Sequence, residues 1–180
     1  KRMNTKTILS ILNVIAWIAF VGLCIETGAV IVGGLWGVFS DFSSEGRLMV
    51  MKYDFMDLLI KNRNYFICLW SLIVFLLGYK AYLFFVVINV FKKLDLENPF
   101  SKEVSDLILK ISYVSFGIWI IWVITDQFIE GLLKKGFDIS SVKYNLGSDG
   151  GFIFLAGIVY IIAQIFKRGI ELQNENDLTI

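Results

Sequence analysis

The chain has 180 residues, 57% of them apolar, with no histidine and a single proline, and its mean hydropathy is +0.70. That composition lies outside the soluble globular range and sends apolar side chains to lipid. A formal net charge of +1 gives no overall field for nucleic acid, and the absence of histidine excludes a zinc-protease helix, a serine–histidine hydrolase and a histidine-held haem.

A spanning helix needs roughly 20 mainly apolar residues, and four such runs bounded by charge cover residues 8–31, 66–91, 107–129 and 151–166. They predict one all-α transmembrane domain, an integral membrane four-helix bundle, followed by a tail at 168–180. In the first run, Val21-Gly22-Leu23-Cys24 is similar to a lipoprotein cleavage site, but Leu23 is too large for the residue before the cut, so the span is read as uncleaved. The run continues through Gly33-Gly-Leu-Trp-Gly37, whose small-residue spacing lets helices approach closely. The loop 40–64 mixes apolar residues with Lys52, Asp54 and Asp57, which suits a short element lying on the membrane surface. With only some twenty residues, neither long loop is expected to form a core of its own.

After the second span, Pro99 biases Asn98 away from helix, Ser101 is placed to cap the third helix, and Glu103 is favourable in its first turn. Lys110 lies inside that helix, with a stem long enough to snorkel to the interface. The loop 130–150 is more polar and ends in the turn-rich Asn145-Leu-Gly-Ser-Asp-Gly-Gly151. Both cysteines, Cys24 and Cys68, fall inside spans without metal-type spacing and are expected to be free. No metal or cofactor is indicated.

Spans two and four both end on an amide, then Phe and two cations, in Asn89-Val-Phe-Lys-Lys93 and Gln164-Ile-Phe-Lys-Arg168. The pattern admits two parallel helical-hairpin repeats, as known among transporters. Placing both termini in the cytoplasm gives the inner segments about nine cations against about seven outside. Lys1 and Arg2 precede Met3, and without them the margin closes. The orientation then rests on Lys92, Lys93, Lys167 and Arg168, which abut helix ends directly.

Three ionisable residues lie within or at the edge of the apolar runs: Glu26, Lys80 and Asp126. A charge at the bilayer centre costs about 2.5–3.5 kcal/mol even on the lenient insertion scale, so each needs a partner, a cavity or a proton. Counting along the helices puts both acids near the outer interface and Lys80 roughly 17 Å above Phe91, with a stem able to reach outward. The expectation is that Lys80 meets Glu26, Asp126 or both, in a polar site for a small ligand, an ion or a proton. The alternative is a buried pair that only fixes helix register.

The carboxyl stretch Ile165-Phe-Lys-Arg-Gly-Ile-Glu-Leu-Gln-Asn-Glu-Asn-Asp-Leu-Thr-Ile180 resembles the end of a bacterial membrane family, domain of unknown function 2975. So do Asn98-Pro-Phe100 and Leu23-Cys-Ile-Glu-Thr-Gly28. The resemblance implies a small four-span bacterial inner-membrane protein, often encoded beside a short helix-turn-helix regulator of the Cro/CI type. It brings no catalytic residue and no substrate. The expected function is a non-enzymatic sensor or regulatory partner of such a regulator, without direct nucleic-acid binding, docking through Asn98, Pro99, Phe100, Arg168, Glu171, Leu172, Asn176 and Asp177. A small transporter or channel using Glu26, Lys80 and Asp126 is the second expectation, and a membrane enzyme working through paired carboxylates the third.

Overall fold

The computed structural model describes residues 5–39, 49–50, 53–95 and 100–177. Its elements in chain order are α1 (Thr5–Phe39), β1 (Met49–Val50), β2 (Tyr53–Asp54), α2 (Met56–Lys61), α3 (Arg63–Lys93), α4 (Lys102–Lys134), α5 (Ser140–Leu146) and α6 (Gly151–Asp177). The fold is an all-α four-helix membrane bundle, with four helices long and apolar enough to cross a bilayer. Every spanning helix overruns its predicted span. At ~1.5 Å per residue α1 is roughly 52 Å long and α6 roughly 40 Å, against a hydrocarbon core of about 30 Å. At least a turn of each therefore lies beyond the apolar window, where capping and packing decide the structure.

Two compact units divide the chain, one taking residues 1–21, 81–117 and 150–180 and the other 22–80 and 118–149. In the first, Ser101 Oγ accepts the Val104 backbone N–H at 3.3 Å, which is the cap the sequence predicts for α4. Glu103 in the same turn pairs with Lys93 at 2.9 Å. Deeper in, buried Ser112 donates to the Ala156 carbonyl at 2.8 Å, joining α4 to α6. Lys110 lies over the Tyr82 ring at 5.3 Å, a cation–π contact that shelters its charge. The two repeat-like endings diverge here, because α3 stops at Lys93 whereas α6 continues past Arg168 to Asp177.

The second unit holds the described residues of both long loops, which share a core. β1 and β2 pair antiparallel, with Val50 opposite Tyr53, and lead into α2. Asp54 Oδ1 accepts the Met56 N–H, and Asn62 Oδ1 accepts the Tyr65 N–H at 3.1 Å, capping α3. The second loop closes α4 through Gly136, at φ 83°, with Phe137 N–H bonded to Leu132 O and Gly136 N–H to Leu133 O. That pair of hydrogen bonds is a Schellman ending, and the left-handed backbone it needs favours glycine. Tyr53, Phe55 and Leu58 of the first loop and Ile139 and Val142 of the second are all buried, as are Phe66, Ile129 and Leu132 on the adjoining helix ends. Each such side chain contributes about 1.5–3 kcal/mol on burial. Neither loop alone has enough apolar surface to enclose; pooled on the helix ends, the two make a core.

Polar bonds tie the same loops together. The Asp54 N–H donates to Ser141 Oγ at 3.3 Å, and the Asp138 N–H to the Asp57 carboxylate at 2.8 Å. The bond from Lys61 and the one from Asp138 hold the Asp57 carboxyl below its usual range.

Candidate functional site

Lys80 on α3 has an acidic partner, but it is neither Glu26 nor Asp126. Its Nζ stands 2.6 Å from Asp149 Oδ2, with both side chains largely shielded from solvent. The approach is off the hydrogen-bond direction, and Asp149 Oδ2 has no hydrogen bond among the described residues. The ion pair is therefore what compensates this carboxylate. Asp149 reaches Lys80 because residues 147–150 are not helical: Gly147, at φ 67°, turns the chain between α5 and α6, and its carbonyl accepts the Trp122 indole N–H at 3.2 Å. Counting depth along the helices missed Asp149, because a carboxylate on a turn is not bound to the depth of its sequence position.

Glu26 is met by a loop residue instead. The Tyr53 hydroxyl, on a side chain only 1% exposed, donates to Glu26 Oε1 at 3.5 Å. Burial, reinforced by the Glu26 and Asp149 carboxylates, pushes the Tyr53 phenol well above its ordinary range. Asp126, half-buried on α4, makes no ion pair with any described residue. The arrangement is a Tyr53–Glu26 contact beside a Lys80–Asp149 pair, all within the second unit. It can hold or release a proton or accept a small polar group. Among the described residues no group of three or more Cys, Asp or Glu gathers as a metal would require.

Tyr53 carries a pH dependence. Its proton is held more tightly folded than unfolded, so its contribution is complete below about pH 10 and falls as pH rises beyond that value. Unfolding midpoints in detergent taken between about pH 8 and 11 should therefore drop more steeply for wild type than for Tyr53→Phe. Equal slopes would show that Tyr53 ionises as an ordinary phenol.

The second candidate region is in the first unit. Phe100 packs on Phe166, ring centroids 5.3 Å apart, and so closely over Gly169 that a Cβ there would meet the ring at 2.6 Å. That residue of the expected docking set is thus partly engaged by its own chain. Arg168 and Glu171 pair with each other at 2.8 Å, and Leu172 is 47% exposed. Asn98 and Pro99 lie outside the described residues, and Asn176 and Asp177 are described only as backbone of α6.

A family model described as a protein of unknown function (DUF2975) matches residues 48–180. The chain is a DUF2975 protein. The match takes in the first loop from residue 48, the second loop and three of the spanning helices of this DUF2975 protein, and with them Tyr53, Lys80, Asp126 and Asp149; α1 and Glu26 precede it. No curated protein and no solved structure matches the chain. Two members of the polar cluster, Tyr53 and Asp149, were not singled out in the sequence. The signal for Asp149 was its place two residues before the last apolar run, as near the interface as either expected acid; for Tyr53 there was none beyond an aromatic in an apolar loop.

Proposed function

We propose that this DUF2975 protein is a non-enzymatic regulatory protein of the bacterial inner membrane, with both termini in the cytoplasm, that holds a soluble helix-turn-helix regulator at the membrane. The observation that carries this reading is α6, which runs without a break from Gly151 through the Lys167-Arg168 anchor to Asp177. What emerges from the span is a helix, not a loose acidic strand. Arg168, Leu172 and Glu175 are exposed on it and fall at i, i+4 and i+7, on one stripe. An exposed apolar side chain flanked by charge on one helical stripe is what a groove in a partner accepts. The neighbouring Glu171 and Glu175 suit the basic surface of a DNA-binding protein, so binding here would compete with DNA.

Co-purification with the neighbouring regulator tests the reading. Leu172→Asp should weaken capture by about 10- to 30-fold, the effect of removing an interface hot spot, and a chain ending at Gly169 should lose it. Equal recovery by all three forms would remove the docking role.

The Lys80–Asp149 pair favours a second reading, a small transporter or channel. A buried ion pair contributes little net stability, and ionisable groups inside membrane proteins are commonly part of an ion or substrate path. No capture by either the full-length or the shortened chain would turn the choice to this reading.

A further inference from the structure

Between the first turns of α4 and the last turns of α6 lies a groove of about 410 Å³, a volume within the range of small-ligand sites. Its floor is apolar, formed with Ala163 and Ile170, and its walls carry Lys102, Asp106, Lys167 and Glu171. Each helix thus supplies a lysine and, four residues on, an acid, a spacing that puts the two on one face. All four side chains are exposed, and among the described residues Lys102, Asp106 and Lys167 form no ion pair. Lys102 precedes the third apolar run and Lys167 follows the fourth, so the groove sits where apolar windows give way to charge. That is the level of lipid headgroups.

We propose that this groove binds the headgroup of phosphatidylethanolamine, with its phosphate on Lys102 and Lys167 and its primary ammonium on Asp106 and Glu171. Charge complementarity selects the occupant. An anionic headgroup would use the two lysines and leave Asp106 facing it without compensation, Glu171 being already paired with Arg168, whereas a zwitterion answers both signs. A choline headgroup carries the same charges but has no N–H to donate, so the acids separate the two zwitterions by hydrogen bonding. The apolar floor receives the start of an acyl chain, which a soluble phosphate ester lacks. Ala163, Lys167 and Ile170 line the groove away from the Arg168–Leu172–Glu175 stripe, and Glu171, paired with Arg168, borders both.

The test is lipid binding to the full chain in detergent by native mass spectrometry, with thermal unfolding in parallel. Phosphatidylethanolamine should bind about tenfold tighter than phosphatidylcholine, the effect of one charge-assisted hydrogen bond, and should raise the unfolding midpoint. Asp106→Asn/Glu171→Gln should abolish that preference, and Lys102→Gln/Lys167→Gln should weaken both lipids. Because these side chains are exposed, the variants fold, as their lipid-free midpoints will show. Equal binding of the two zwitterions, tighter binding of phosphatidylglycerol, or a preference that survives loss of the acids would overturn the proposal. An equal effect from soluble phosphoethanolamine would overturn the assignment to a lipid.

Discussion

Replacing Lys80 by methionine is expected to destabilise the detergent-solubilised protein by about 3–5 kcal/mol, because it strands a buried carboxylate. Asp149 is only 9% exposed, and Lys80 at 2.6 Å is its compensating charge. Removing both charges, in Lys80→Met/Asp149→Asn, should restore most of the loss. The double-mutant cycle measures this directly: coupling between positions 80 and 149, and simple additivity between Lys80→Met and either Glu26→Gln or Asp126→Asn. A neutral Lys80→Met, or coupling to Asp126 in place of Asp149, would refute the pairing.

Gly34→Ala should cost about 1–3 kcal/mol, the range for overpacking a filled site, although alanine is the better helix former by up to about 1 kcal/mol. A Cβ at Gly34 would fall 2.0 Å from Nε1 of Trp70. That indole lies so close because its N–H donates to the Val30 carbonyl at 2.8 Å, one turn back along α1, and a substituted Gly34 would push it off. Gly28→Ala is the control, since nothing lies within 4 Å of a Cβ there; it should be neutral or stabilising. Trp70 emission should change in the first variant and not in the second. If Gly34→Ala proves as harmless as Gly28→Ala, the indole is not held against α1.

The four spans were legible because hydropathy acts over twenty residues at a time, and the α4 start because Ser101 and Glu103 follow local capping rules. Gly34, within Gly33-Gly-Leu-Trp-Gly37, takes the Trp70 ring. Partners distant in sequence were not legible. Depth counting found that Lys80 needs an acid, yet three acids stood at similar heights, and only the turn at Gly147 decides among them. In the tail, Ile170 and Leu172 lie two residues apart and so diverge on a helix, Ile170 toward the α4 groove and Leu172 outward.

The shared core of the two loops sets a clock on biogenesis. The bonds from Asp54 to Ser141 and from Asp138 to Asp57 close over separations of 87 and 81 residues, so Tyr53, Phe55 and Leu58 are made long before Ile139 and Val142. At about 5–20 residues per second the ribosome needs roughly 4–16 s to supply the missing half. During that interval an apolar loop stands uncovered at the membrane, open to proteases and to other nascent chains. A chain interrupted before α5 lacks Ile139 and Val142 and so leaves Tyr53, Phe55 and Leu58 without that cover.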